Sequence, residues 1–535
     1  MKKQLGALAL LVATATLPAC GDNFLTEVPS DFVSPENFYR NEGDAVAAVN
    51  AAYASFISLP SPLSNNDYVG RNFWMLTEYP TEVATSRLSA ANERSQIGNF
   101  HPQFSSSHPY LLGVWAAAYA GINRSNSVIA RVPQIDMNPA RRDQLVAEAK
   151  FLRALHYYWL AGLFGGVPLK LDETSSIGAA TLPRATAAET WAQVAKDLTE
   201  AAAVLPQSWG GGDYGRATKG AALALMGKAY LQSAATTGNT ADYQKAIEAF
   251  VQVRGLGYAL DANYGSLFDA SNERSPEIIF SFQNIAVDGL GGRLTEWFAP
   301  ITAPAIYAGG AQNQVQAERP FYDGYRASDI RKAATWLTSF TNNQRVVTWA
   351  WTAGIETTAN YGSTGPTPRK YLDLASADGG LESPDVIVIR YADVLLSLAE
   401  ALNAVSGPTG AAGGVDAYTL VNQVRARAQV PALVPGLGQA AFRDSVFLNR
   451  RYELALEMHG VFDNRRNWEW AKGRIQANIA QIAALNRNPF TSSVEKTNGQ
   501  TVIPDKWMLY PVPARACELN DKLTQNPGWE DAFCN

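Results

Sequence analysis

This sequence predicts a mainly α-helical fold, in which a frame of paired helices carries a loop-rich lobe with small strands. Three observations lead there. The stretch Glu148 to Pro168 reads EAKFLRALHYYWLAGLFGGVP. Its rows Phe151, Leu155, Trp159, Leu163 and Leu152, His156, Leu160, Phe164 are apolar or nearly so, and a helix apolar on most of its circumference is buried. Further along, small and aromatic residues recur at the spacing of a helical hairpin. Between residues 257 and 385 helical periodicity fades into short apolar runs, glycines and polar residues.

A chain of 535 residues exceeds one ordinary domain, so two lobes are expected. Apolar residues at 47% against 17% charged support a sizeable core. The net charge of −5, without basic clusters, excludes a nucleic-acid footprint. Residues 1–19 read as a signal peptide: Lys2 and Lys3 are its basic end, and Leu5 to Leu17 is an apolar run too short to span a bilayer. Leu17-Pro18-Ala19-Cys20 is similar to a bacterial lipobox, in which Cys20 becomes the acylated N-terminus and anchors the chain to a membrane. The alternative is an ordinary secretory signal with Cys20 incidental. Residues 20–40 then form a tether containing Pro29 and Pro35. Cys517 and Cys534 are candidates for a disulfide that ties down the tail of an exported chain.

Helical periodicity starts at Asn41, with Ala45, Val46, Val49, Tyr53 and Phe56 on one side, and ends at Pro60. Residues 60–109 are broken by Pro60, Pro62, Asn65, Asn66 and Gly70, with a short helix expected from Arg71 to Glu78. The polar remainder carries Phe100 and Phe104, and a loop of that length inside a domain is usually functional or disordered. Another helix covers 110–131. Asn138-Pro139 starts a long helix that Gly165-Gly166 ends, which gives a central strut over 139–164. Helices follow at about 187–204, 216–235 and 241–254. Gly227 and Tyr230, then Ala246 and Phe250, have the spacings of the two helices of a tetratricopeptide repeat, with a turn about seven residues too long. The segment GGGDYGRATKG lacks the ending of a phosphate loop. Strands are expected at Glu277 to Phe282 and Val346 to Trp351. At Pro384 a strand begins that passes into a helix. The chain thus divides into a frame at 41–256 and a lobe at 257–535, whose helices 391–406 and 441–459 pack back on the frame.

Several motifs occur in a fixed order. The strut reads E-A-x-F-L-R-A-L-x-Y-Y-x-L, then F-G-G-V-P-L. Tyr325, Asp329 and Arg331 follow, then Lys370-Tyr371, then Arg390-Tyr391-Ala392-Asp393 with Glu400. Val421-Asn422 to Arg427, Arg450 to Glu457, and Gln525-Asn526-Pro527-Gly528 complete the set. Together they resemble the SusD/RagB family of outer-membrane nutrient-uptake lipoproteins, from Cys20 to Trp529. His459-Gly460 and Arg466-Asn467-Trp468 depart from the family pattern, which implies a rearranged charge network there. The resemblance implies a tetratricopeptide-like frame with a ligand-binding lobe. It also implies a lipid-anchored protein of the outer membrane, facing the cell exterior. Such a protein captures a glycan or peptide and serves as lid to a TonB-dependent (SusC-like) transporter, with no covalent step and no cofactor.

The four histidines, His101, His108, His156 and His459, form no H-E-x-x-H pattern, and no G-x-S-x-G elbow occurs. His101 and His108 lack a ligating partner at useful spacing, so no metal site is expected. Asp393 and Glu400 lie on one helix face. A catalytic pair is conceivable, but their apolar neighbours favour structural ion pairing. With 49 acidic residues a hydrolase always has candidate carboxylates, so an exported glycan-processing hydrolase is the alternative reading, and a pure repeat scaffold the third. Sugar rings offer apolar faces to aromatics and hydroxyls to planar polar groups. The resemblance implies a ligand surface built by loops from both halves, so the candidate ligand contacts are Phe100 and Phe104 from the early loop, and Trp297, Phe298 and Tyr307 from the middle one. Asn92, Arg94 and Gln283 are the polar candidates.

Overall fold

The computed structural model describes residues 38–56, 68–86, 92–174, 181–287, 291–299, 311–342, 345–348, 365–373, 381–485 and 502–530, with a few isolated positions. The signal peptide, Cys20, most of the tether and Tyr307 lie outside the described residues.

Ten helices longer than ten residues carry the described architecture. They are α1 (Glu42–Ala54), α2 (Pro109–Arg131), α3 (Pro139–Phe164), α4 (Ala187–Val204), α5 (Lys219–Thr237), α6 (Ala241–Arg254), α7 (Tyr391–Ser406), α8 (Ala417–Arg427), α9 (Gln439–Glu453) and α10 (Trp468–Leu485). From α2 to α6 each helix packs on the next in sequence, and α7 continues the stack against α6. At the α5–α6 crossing Gly227 is needed, because a Cβ there would sit 2.5 Å from the Phe250 ring. The turn between these helices is only residues 238–240. The expected excess of seven residues therefore lengthens mainly helix α5, which runs on to Thr237.

Helix α3 is the strut. Asn138 caps it by accepting from Arg141 N at 3.1 Å, and Pro139 occupies the first helical position. From Glu148 to Phe164 every residue except Lys150 is buried. His156 lies inside: its ring stacks on Phe56 at 3.9 Å, and Nε2 sits 3.1 Å from Ser55 Oγ. The strut ends at Gly165, whose φ of 77° suits glycine. Its last carbonyls need partners, and distant segments provide them. Phe164 O accepts from Arg184 Nη2 and Asn526 Nδ2, both at 2.9 Å. Leu163 O accepts from Arg465 Nη2 at 3.0 Å and from Tyr510 N at 2.9 Å. The C-terminal tail is thereby fixed to the strut, and Cys517 is bonded to Cys534 within it.

The strands are short and form five separate two-stranded pairs among the described residues. Ile278–Phe282 pairs antiparallel with Val386–Arg390, which leads directly into α7. The strand expected at Val346 to Trp351 is described only as Arg345–Thr348, paired with Ser339–Asn342. One hydrophobic cluster runs from Ala52 to Trp529 through both halves of the chain.

Charges are buried with their partners. Arg390, fully buried, donates to Glu457 at 2.7 Å, Glu277 at 2.7 Å and Glu453 at 2.6 Å. Arg427 also bonds Glu277 and Glu453; Arg331 joins Glu453 to Asp329, and Lys370 meets Glu457 at 2.6 Å. Burial opposes charge on Glu453, but Arg427, Arg390 and Arg331 outweigh it and hold the carboxyl well below the usual range. A second group joins Asp393 to Lys228 and Arg450, and Arg466 to Glu400 and Asp463. Asp393 and Glu400 are thus structural ion pairs. Beside the departure from the family pattern at His459-Gly460, Arg451 donates to Gly460 O at 3.1 Å, reaches Glu82 at 3.3 Å and also bonds Asn464.

Removing one partner of such a network leaves an uncompensated buried charge. Glu453→Gln is expected to cost about 3–5 kcal/mol, read as a lowered denaturation midpoint. A second expectation concerns acid. Burial, with a smaller effect of Arg124, lowers His156 to about 3, and burial is the main reason His459 falls to about 3 and His108 to about 4. A histidine whose folded pKa lies below its unfolded value stabilises fully above pH 6.5, and that contribution is lost as pH falls towards the folded value. Glu78 and Asp385, pushed up to about 7 chiefly by burial, act in the opposite sense between the usual carboxylate range and pH 7. Replacing His156 with Gln should therefore flatten the acid loss of stability between pH 6 and 4 by up to about 1.4 kcal/mol per pH unit. An unchanged slope in denaturant titrations would contradict this.

Candidate functional site

The early loop is more ordered than its sequence suggests. It contains a π-helical turn at Tyr68–Phe73, helix Trp74–Glu78, strand Ala84–Ser86 and helix Glu93–Gly98. Ala84–Ser86 pairs with Val315–Ala317, so the early and middle segments are joined through backbone hydrogen bonds. The middle segment contributes the short helix Leu294–Phe298. It is positioned by Glu382, which accepts from Thr295 N at 2.7 Å and Glu296 N at 2.8 Å.

Where these segments meet, Trp297 lies under two cations. The guanidinium carbons of Arg71 and Arg94 are 4.9 and 4.6 Å from its ring centroid. Both arginines are half-buried, and Trp297 itself is 2% exposed. Asn92 is exposed and caps the Glu93–Gly98 helix by accepting from Arg94 N at 3.1 Å. Arg94 Nε donates to Tyr110 Oη at 3.2 Å, which ties the arginine to the start of α2. Trp297 Nε1 is buried and has no hydrogen-bond partner among the described residues. Chemically, this is a cluster of planar donors held in place by an indole plate.

The sequence candidates thus fall into two groups. Trp297 and Arg94 come together, and Asn92 caps the helix that carries Arg94. Phe298, next to Trp297, is fully buried and packs edge-on against Trp74 at 5.1 Å. Phe100 and Phe104 are 3% and 2% exposed, and they pack on the tail instead. Trp507 lies 5.1 Å from Phe100 and 4.8 Å from Phe104, and Tyr510 and Trp529 are each 5.7 Å from Phe104. Their rings hold the early loop to the C-terminal closure. Gln283 stands apart: its Nε2 donates to Ser281 Oγ at 2.8 Å and to Asp385. Tyr307 lies outside the described residues. Arg71 and Tyr110 are cluster members that sequence reasoning missed. Arg71 sits in a turn with no periodic signal, and Tyr110 reads as an ordinary residue of helix α2.

Comparison with known proteins follows from this geometry. A family model described as "SusD family" matches residues 226–529. A second, described as "Starch-binding associating with outer membrane", matches residues 62–231. SusD-like protein P2 of Formosa agariphila is 27% identical over 485 residues, which span 86% of this chain and 90% of that protein. A SusD homologue of Bacteroides thetaiotaomicron has the same fold, with a TM-score of 0.77 at 21% identity over 92% of this chain and 98% of its own. Surface glycan-binding protein A of Bacteroides thetaiotaomicron, solved with laminarihexaose, superposes with a TM-score of 0.70 at 19% identity, over 91% of this chain and 99% of that one. The first model alone spans more than half the sequence, and its residues carry the buried charge motifs: this chain belongs to the SusD family.

Proposed function

We propose that this protein is a non-catalytic glycan-binding lipoprotein of the outer membrane, anchored through Cys20, that hands its ligand to a TonB-dependent transporter. The observation that carries the reading is the Arg71–Trp297–Arg94 cluster with the exposed Asn92 beside it. Planar amide and guanidinium donors suit the hydroxyl rim of a saccharide, and loops braced by a rigid frame are the usual place for binding groups. Family membership supports it, as does a relative with the same fold that was solved holding laminarihexaose. Pairing of Asp393 and Glu400 with cations argues against their use as a hydrolytic pair. The helical frame would contact the transporter and the loops would face the ligand.

In affinity electrophoresis with soluble polysaccharides in the gel, the protein is expected to be retarded by at least one polymer and to leave its chain length unchanged. Shortening of the polymer would favour the hydrolase, and retardation by peptides alone would redirect the ligand class. Fatty-acid labelling in cells should mark the protein and be abolished in a Cys20→Ser variant; label persisting in that variant would reject the anchor.

A further inference from the structure

Glu78 ends the short helix Trp74–Glu78 and is 1% exposed. Its carboxyl accepts from two backbone groups, Leu456 N at 3.2 Å and Gly460 N at 3.3 Å, and bonds no cation among the described residues. Nearby carboxylates are served differently: Glu82, Glu453, Glu457 and Asp463 each bond an arginine. We propose that Glu78 is a proton-operated clasp. With its proton on, it holds the early segment against the turn at residues 454–459, and loss of the proton loosens that hold. The clasp works in the same way whatever ligand the protein takes.

The clasp has two ends. On one side, the turn joins α9 to the helix Gly460–Arg466. Leu456 and Met458 adopt φ of 69° and 64° within it, a left-handed backbone that residues with a Cβ disfavour. Such a conformation persists only where its surroundings enforce it. The early segment does so: Trp74 Nε1 donates to Leu456 O at 2.9 Å, while Glu78 takes Leu456 N and Gly460 N. On the other side, helix Trp74–Glu78 continues directly from the π-helical turn Tyr68–Phe73, which carries Arg71. Trp74 also packs edge-on at 5.1 Å against Phe298, the neighbour of Trp297. A shift at Glu78 therefore reaches both members of the Arg71–Trp297 contact.

The charged groups packed around Glu78 are engaged with other partners. From α9, Arg451 bonds Glu82, Asn464 and Gly460 O. From residues 365–373, Lys370 bonds Glu457, Ala455 O and Glu453 O, and burial keeps the Tyr371 hydroxyl protonated. In the turn itself, Glu457 pairs with Arg390 and Lys370, and His459 Nδ1 lies 3.2 Å from Lys228 Nζ. On helix Gly460–Arg466, Asp463 pairs with Arg450, Arg466 with Glu400, and Arg465 donates to Leu163 O. Burial therefore dominates and raises Glu78 to about 7; the Gly460 N–H, Arg451, the Leu456 N–H and Lys370 lower it by less. A carboxyl in water keeps its proton only to about pH 4.3. Acid thus favours the closed clasp. Rising pH favours any arrangement in which Glu78 reaches water, and that gain accumulates from the ordinary carboxylate range up to pH 7. His156, His459 and His108 titrate below this window, and Lys370, lowered to about 8 chiefly by burial, titrates above it.

Hydrogen exchange of the full mature protein tests this without a ligand, read by mass spectrometry on peptides covering residues 74–78 and 454–460. Dividing each exchange rate by the intrinsic rate at the same pH gives the open fraction. It should rise between pH 5 and 7 by up to about tenfold per pH unit and level off above pH 7. Peptides of α4, away from the clasp, should not follow. Glu78→Gln, which cannot ionise, should remove the rise. Asp385→Asn, which takes away the other buried carboxyl raised to about 7, should leave it in place. Melting curves show whether each variant is folded, and Glu78→Met, of similar length and without charge, replaces Glu78→Gln if that variant does not fold. An open fraction that stays flat between pH 5 and 7 in the unaltered protein overturns the clasp whatever the variants do. A rise that survives removal of the Glu78 carboxyl, or that disappears with Asp385→Asn, overturns it as well.

Discussion

The structure depends on the need to pair charge inside it. Arg390 is wholly buried, and an isolated ion there would cost far more than the fold gains from any one contact. It is tolerated because Glu277, Glu453 and Glu457 surround it. Those carboxylates in turn bind Arg427, Arg331 and Lys370. The groups of this network come from a strand, three helices and three loops scattered between residues 277 and 457. Pairing them forces one arrangement of the strand pair Ile278–Phe282 and Val386–Arg390 against α8 and the end of α9. A hydrophobic core alone tolerates shifts in packing, whereas a guanidinium with several carboxylates around it is specific in direction as well as distance.

The strut shows the same logic on neutral groups. Its buried end leaves carbonyls that water cannot reach, and Arg184, Arg465 and Asn526 supply the donors. Cationic side chains also suit the negative end of a helix. The consequence is long-range: the last residues of the chain are fastened to its middle. Phe100 and Phe104 then pack on the fastened tail, which places the helix Glu93–Gly98, and with it Arg94, over Trp297. The geometry of the candidate site is thus inherited from bonds in the interior.

The site was only partly legible in the sequence. Aromatic residues in irregular segments signal either a binding face or a docking face, and composition does not separate the two. Phe100 and Phe104 read as binding residues but close the core, because Trp507, Tyr510 and Trp529 come from the opposite end of the chain. Trp297 was singled out as a sugar platform, yet its ring supports two guanidinium groups. Arg71 carried no signal at all, since its role exists only where three distant segments meet.

What the sequence by itself determined was local and periodic. The limits of α3, with Asn138 and Pro139 at one end and Gly165 at the other, follow from capping chemistry that acts within a few residues. The Gly227–Phe250 crossing follows from spacing, and the ordered motifs pointed to a family whose fold the chain has. What only the tertiary structure decided was the pairing of charges and rings far apart in the chain. Which carboxylate meets Arg390, and which cation covers Trp297, depends on how loops and tail return to the frame. Side-chain identity sets what each group needs, but only the folded path of the backbone determines which partner is within reach.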